Sequence, residues 1–327
     1  MLLLTKEDIK SVFTMKDAIE ANKDAFKFFS SGKSVVPLRT NIAIPKYEGQ
    51  VLFMPGYVDE MDAIGLKIVS VFPQNMKKEK PTTPATMVLI DGSSGEVCAI
   101  LDGTYLTQLR TGAASGAATD ILARTGSQIG ALIGTGGQGA AQLEAMITAR
   151  ELKEVRVFDV DILRAQSFVE KMKSQLSNCK TVFKAVSTSD EAINDADIIT
   201  TVTTARQPTF NGSLVKAGAH VNAVGSYMPH MQELDPVILK RADKIFFESQ
   251  EAVLSESGDI IIPLKQGLIT KEKFTGELGQ VIMGTIKGRE SDEQITVFKT
   301  VGIATQDIVT AKRIYDKAIL QNIGTKW

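Results

Sequence analysis

Residues 128–139 read Gln-Ile-Gly-Ala-Leu-Ile-Gly-Thr-Gly-Gly-Gln-Gly, an apolar strand pattern running straight into a G-x-G-x-x-G turn at Gly134, Gly136 and Gly139. A helix-competent segment, 140–150, follows at once. This is the order a dinucleotide-binding βαβ unit requires. Gly134 permits the tight turn, Gly136 lets backbone N–H groups approach a pyrophosphate, and Gly139 lets helix and strand pack closely. Thr135, Gly137 and Gln138 complete the turn, and the helix N-terminus behind it presents partial positive charge to phosphates.

The next strand pattern, 154–161, places Asp159 twenty positions beyond Gly139, with Asp161 two further on. An acidic residue there holds the ribose hydroxyls of NAD, whereas its charge repels the 2′-phosphate of NADP. Asp159 and Asp161 therefore point to NAD, with NADP as the alternative, and one of the two suffices. A chance glycine turn followed by a solvated aspartate is the competing reading, and the complete βαβ context weighs against it.

Beyond this unit, strand and helix patterns alternate over roughly 120–300. A helix pattern at 162–176 precedes strand patterns at 181–186 and 197–204, the latter ended by Pro208. A further strand at 218–225 closes on glycine, and a helix at 234–241 leads to a strand at 244–248. Short buried strands between helices predict a Rossmann-type, doubly wound parallel sheet. The first 110 or so residues differ. One amphipathic helix is expected over 11–29, then strands at 34–41, 50–54, 63–70, 85–91 and 96–102 in a largely antiparallel region. A Thr-, Ala- and Gly-rich helix at 105–123 joins the regions, and an amphipathic helix at 305–319 returns to the first. The expected organisation is an α+β substrate and dimerisation domain over 1–118 and 303–327, with an NAD(P)-binding domain over 119–302.

At 327 residues, 43% hydrophobic and 23% charged, the chain can bury two cores. Its net charge of −1 gives no reason to expect nucleic acid or an anionic membrane as partner. Cys98 and Cys179 form no metal or redox motif and read as small buried hydrophobes of a reducing compartment. Two histidines, His220 and His230, cannot supply a multi-histidine metal site, so no metal is expected. His220 is placed at the sheet edge and His230 in a surface loop. The apolar run at the start is too short for a signal peptide and none is long enough to span a bilayer, so a cytoplasmic protein is expected.

A nicotinamide enzyme must hold a substrate carbon beside the ring and manage a proton. In a doubly wound sheet the groups that do so lie at the C-terminal strand ends. Thr203, Thr204, Val224, Gly225, Ser226 and Tyr227 occupy those ends by pattern. Arg39, Lys67 and Arg110 are the cationic candidates of the first region. Lys67 lies within Ala63-Ile-Gly-Leu-Lys-Ile-Val69, and a lysine so enclosed has a lowered pKa and can exchange a proton. Paired arginines would clamp a carboxylate. For each of the three, the alternative is a surface charge on an alternating strand. Met54 and Met228 read mainly as core filler.

Several stretches together carry a family resemblance: Val36-Pro-Leu-Arg-Thr40, Met54-Pro55, Gly65-Leu-Lys-Ile-Val69, Leu109-Arg-Thr-Gly-Ala-Ala-Ser115, the turn through Gly139, Ile199-Thr-Thr-Val-Thr203, Ala219-His-Val-Asn-Ala-Val-Gly225 and Val297-Phe-Lys-Thr-Val-Gly-Ile-Ala304. Over nearly its whole length the chain resembles the ornithine cyclodeaminase/mu-crystallin family, which also contains archaeal-type alanine dehydrogenases, ketimine reductases and pyrroline-2-carboxylate reductases. The resemblance implies a homodimer whose first domain supplies substrate site and subunit contact. It makes Arg39, Lys67 and Arg110 the carboxylate-binding and proton-handling cluster, and brings Thr111 to the cofactor phosphates. Tyr227 stands where cyclodeaminases and archaeal alanine dehydrogenases carry an aspartate. Tyrosine is a poor base at neutral pH but a good hydrogen-bond donor, which favours simple hydride transfer to a C=N carbon. The leading expectation is reduction of a cyclic 2-carboxy imine. Ornithine cyclodeaminase, an alanine-type dehydrogenase and a non-catalytic NADPH and ligand binder of the crystallin kind are the rivals.

Overall fold

The structure, a computed structural model, describes residues 1–78 and 80–327 of the chain. It divides into two units, one formed by Met1–Arg110 with Gly302–Trp327 and the other by Thr111–Val301. The division falls inside a single helix, Gly103–Leu122.

The second unit holds an eight-stranded sheet in which every neighbouring pair is parallel. From one edge the strands run Val182–Ala185, Glu154–Phe158, Ile129–Ile133, Ile198–Thr201, His220–Ala223, Thr296–Lys299, Lys244–Phe247 and Phe274–Glu277. The two strands that follow Ile129–Ile133 in the chain therefore step one way from it, and the next two step the other. That reversal opens a crevice past the carboxyl ends of Ile129–Ile133 and Ile198–Thr201, where the flanking loops diverge. The central strands Ile198–Thr201, His220–Ala223 and Thr296–Lys299 are buried along their whole length, which is why they show no alternation of apolar and polar residues. Helices Gly139–Ala149 and Ile162–Gln175 bury Leu143, Met146, Phe168, Val169 and Met172 against Leu132, Val155, Val157 and Ile198.

In the first unit, Gly49–Val58, Ala63–Val71, Ala85–Asp91 and Val97–Asp102 form an antiparallel meander. Leu2–Leu4 adds to it in parallel beside Val97–Asp102. Helix Ala304–Gln321 lies on the buried face. A Cβ at Gly65 would meet Ile308 Cγ1 of that helix at 2.7 Å, so glycine is what lets strand and helix approach.

Four details differ from the sequence reading. The helix expected over 11–29 is two, Lys6–Val12 and Met15–Ser30, because Thr14 and Asp17 form a capping box that starts the second afresh. The strand expected over 34–41 is broken into Ser34–Val35 and Thr40–Ile44, with Pro37, which has no N–H for a ladder, in the gap. His220 is not at an edge. It is fully buried in a central strand, its ring nitrogens 2.9 Å from Thr296 Oγ1 and 3.0 Å from Asn222 Oδ1, and burial pushes its pKa down to about 3. Cys98 and Cys179 are free and only half-buried. Among the described residues, no helix is long and apolar enough to cross a membrane.

Candidate active site

Lys67 is the fifth residue of Ala63–Val71, on the face that also buries Ala63, Gly65 and Val69. Its partners in register on either side are Met54 and Met87, both buried. The alternation that would normally place an apolar side chain here instead places an ammonium group with 1% exposure. Its Nζ donates to Asp307 Oδ2 at 2.7 Å. Arg110, from helix Gly103–Leu122, donates through Nε to Asp307 Oδ1 at 2.9 Å and through Nη1 to Gln306 Oε1 at 3.1 Å. Gln306 is held in turn by Nε2 donating to Asn22 Oδ1 at 3.1 Å. Arg39, in the gap opened at Pro37, donates from Nη2 to the Gly302 carbonyl at 3.1 Å. Gly302 has φ +83°, and a Cβ there would sit 2.7 Å from Arg110 Nη1. One glycine thus borders both arginines.

The three cations proposed from sequence are brought together within the first unit. Two of them share one carboxylate, which leaves a net positive centre suited to a carboxylate ligand. Burial, and then the Arg110 charge, push the Lys67 ammonium down to about 7, with Asp307 pulling the other way. Lys67 therefore exists in both protonation states near neutral pH, the condition for efficient proton exchange.

Asp307 escaped the sequence reading although it left a signal. It lies in the first turn of Ala304–Gln321 in line with Ala311, Ile314 and Ala318, all buried. A carboxylate on the apolar stripe of a helix requires a buried partner. Its place near the helix N-terminus further suits a negative charge.

In the second unit the glycine turn has the form a dinucleotide needs. Gly134 has φ +104°, and a Cβ on it would strike the Val202 carbonyl oxygen and Thr203 Cγ2 at 2.8 Å. At Gly136 a Cβ would find only Arg164 Nη2 at 3.9 Å, and at Gly137 nothing within 4 Å. At Gly139 it would lie 3.0 Å from the Gly134 carbonyl oxygen. Gly134 and Gly139 are thus required by the protein's own packing, whereas Gly136 faces open space. Helix Gly139–Ala149 has no side-chain cap and no acidic residue in its first turn. Gln138 at its N-cap position keeps a buried Oε1 without a hydrogen-bond partner. Uncapped N–H groups and an open glycine face fit a pyrophosphate-bearing cofactor.

Asp159 Oδ2 accepts from Thr135 N at 3.0 Å and Thr135 Oγ1 at 2.6 Å, which ties the end of the second strand to the turn. Asp161 caps the following helix, accepting from Leu163 N and Arg164 N. Asp159 is the one of the pair set against the turn. Thr111 offers its carbonyl to Gln142 Nε2 at 3.0 Å. Val224, Gly225 and Ser226 are buried at the end of His220–Ala223, Thr203 and Tyr227 are half-buried, and Thr204 is exposed. His230 is exposed, Met54 is buried and Met228 half-buried.

Residues 1–322 match the model of the ornithine cyclodeaminase/mu-crystallin family. A Delta(1)-pyrroline-2-carboxylate reductase of Bacillus cereus (strain ATCC 14579) is 39% identical over 326 residues, covering 100% of this chain and 99% of its own. The fold matches that of Thermococcus litoralis Delta(1)-pyrroline-2-carboxylate reductase in complex with NADH and L-proline, with a TM-score of 0.94, 39% identity and full coverage of both chains. It also matches an archaeal alanine dehydrogenase dimer with bound NAD, with a TM-score of 0.91, 36% identity, and coverage of 100% of this chain and 98% of that one.

Proposed function

The chain belongs to the ornithine cyclodeaminase/mu-crystallin family, and from that footing we propose that it is an NAD(P)H-dependent reductase of a cyclic 2-carboxy imine of the pyrroline-2-carboxylate type, yielding the cyclic amino acid. The observation that carries this reading is the buried Lys67 beside Arg110 on a shared Asp307, in a chain alike over its full length to reductases of that imine.

The nicotinamide cofactor, when bound, supplies the hydride that reduces the imine carbon. The residues of this chain do the rest. Gly134–Gly139 and the helix behind them would hold the pyrophosphate and Asp159 the ribose, while Thr111, Thr203, Thr204, Val224, Gly225 and Ser226 would line the remainder of the nucleotide. Arg39 and Arg110 clamp the substrate carboxylate, which fixes the C=N carbon for attack. Lys67 gives its proton to the nitrogen as the carbon gains the hydride, and burial together with the Arg110 charge makes the neutral amine left behind tolerable. Tyr227 donates a hydrogen bond where an aspartate would act as base, so the reading omits water or ammonia attack.

The same reading makes the protein a cytoplasmic homodimer. Val35, Leu38, Ile42 and Tyr47 of the first unit are each more than half exposed, which suits a subunit contact. Two free cysteines suit a reducing compartment. The test is turnover of a panel of 2-carboxy imines, of 2-oxo acids with ammonia, and of ornithine, followed at the nicotinamide absorbance with NADH and NADPH. Cyclic imines should be reduced. Pyruvate with ammonia as the sole substrate pair would make it an alanine-type dehydrogenase, and ammonia release from ornithine a cyclodeaminase.

A further inference from the structure

The strands Ile198–Thr201 and His220–Ala223 end side by side at the crevice of the second unit, and their loops are joined by one buried side chain. Glu233, with no exposure, accepts from Thr203 N at 2.5 Å through Oε1, and from Gly225 N at 2.6 Å and Ser226 N at 3.1 Å through Oε2. Both oxygens are used, and each serves a different loop. The approach they enforce is close. A Cβ at Gly225 would lie 2.0 Å from the Thr203 carbonyl oxygen and 2.7 Å from Glu233 Oε1.

Glu233 is itself held from behind. Asp259 Oδ1 accepts from Glu233 N at 2.6 Å and Leu234 N at 2.9 Å, and Asp259 N donates to Ser226 Oγ at 3.3 Å. Asp259 Oδ2 lies 3.2 Å from Lys299 Nζ, which donates to the Ala223 carbonyl at 3.1 Å. The chain of contacts thus closes on the strand where it began, through three charged side chains that are all fully buried. Burying two carboxylates and one ammonium costs stability that apolar residues would not. Such a cost, placed under the loops proposed to carry the nicotinamide, indicates that their spacing matters.

We propose that Glu233 is a positioning residue for hydride transfer: its carboxylate fixes the separation of the Thr203 and Gly225–Ser226 loops and so the seat of the nicotinamide ring. Glu233 touches neither substrate nor cofactor. It acts through the three backbone N–H groups it holds. This rests on the nucleotide-binding part of the proposed function and not on the identity of the imine.

Glu233→Gln tests it, because the amide keeps the shape but turns one of the two acceptors into a donor facing an N–H. Expected are a kcat lower by about 10²-fold, the scale of a small misplacement of reacting groups, a larger isotope effect on kcat with NADH deuterated at the transferred position, and an unchanged KM for the imino acid. Glu233→Asp, which restores the charge, should recover part of the loss. NADH affinity, read from nucleotide fluorescence with no imino acid present, should fall in Glu233→Gln whatever the substrate proves to be, so a wrong substrate would not mask the result. A variant that melts earlier but binds NADH and transfers deuterium as the wild type does would overturn the proposal. If Glu233→Gln does not fold, Asp259→Asn weakens the support behind Glu233, whose N–H Asp259 Oδ1 accepts. A raised isotope effect then supports the proposal, and an unchanged one overturns it.

Discussion

Lys67 and Asp307 stand 240 positions apart in the chain, yet Lys67 Nζ lies 2.7 Å from Asp307 Oδ2, with Arg110 on the other oxygen of the same carboxylate. Asp307→Asn would leave two buried cations facing each other with no anion between them. Loss of one partner from a buried pair costs about 3–5 kcal/mol, and denaturant unfolding should register a loss of that order. The same variant should alter the pH profile, because Asp307 is what holds the Lys67 ammonium up against burial and Arg110. Whatever activity survives should decline at a lower pH than in the wild type.

The Lys67 pKa of about 7 gives the two directions of the reaction opposite profiles. Imine reduction needs the protonated amine, so kcat should fall as pH rises through about 7. Oxidation of the cyclic amino acid needs the neutral amine and should gain over the same window. Stability moves opposite to imine reduction. The folded state binds the Lys67 proton less tightly than the unfolded chain, so this lysine's contribution improves as pH rises from about 7 toward 10.5. Lys67→Ala should lower turnover by about 10²–10⁴-fold, the usual worth of a positioned acid, while NADH affinity stays within twofold of wild type. Unchanged turnover would exclude the role.

What could be read from the sequence follows how far each signal reaches along the chain. The glycine turn is local: the φ of +104° at Gly134 is a property of a dozen consecutive residues. The burial of Lys67 was also legible, because the residues around it in Ala63-Ile-Gly-Leu-Lys-Ile-Val69 are apolar or glycine. The partner of Lys67 was not, since nothing near position 67 refers to position 307. The order of the parallel strands was equally hidden, and for that reason His220 was placed at an edge when it lies between two fully buried strands. Thr14 and Asp17 are a different case. The capping box was in the sequence, but the apolar period runs through the break between the helices and concealed it.

The glycine turn separates packing from binding. Gly134→Ala would force a Cβ against the Val202 carbonyl oxygen at a positive φ, and strain of this kind costs about 1–3 kcal/mol. Gly136→Ala meets nothing nearer than 3.9 Å and has no such φ. It should fold with an unfolding midpoint close to wild type yet bind NADH at least about tenfold more weakly, since backbone approach to the pyrophosphate is what that glycine allows. Calorimetry paired with nucleotide fluorescence distinguishes the two. Equal NADH affinity in Gly136→Ala and wild type would place the pyrophosphate elsewhere.

Cofactor choice should turn on Asp159 rather than Asp161. Asp161 is occupied as a helix cap, whereas Asp159 lies against Thr135 in the turn, with Arg164 Nε 4.0 Å from its Oδ2. Asp159→Asn removes the charge that repels a 2′-phosphate and leaves the half-exposed Arg164 as the formal charge beside the ribose site. The ratio of kcat/KM for NADPH to that for NADH should then rise by about tenfold or more, equivalent to about 1.4 kcal/mol of discrimination. Asp161→Asn, which retains the capping oxygen, should leave that ratio unchanged. If instead the Asp161 variant moved the ratio and the Asp159 variant did not, the ribose would have to be assigned to the second aspartate.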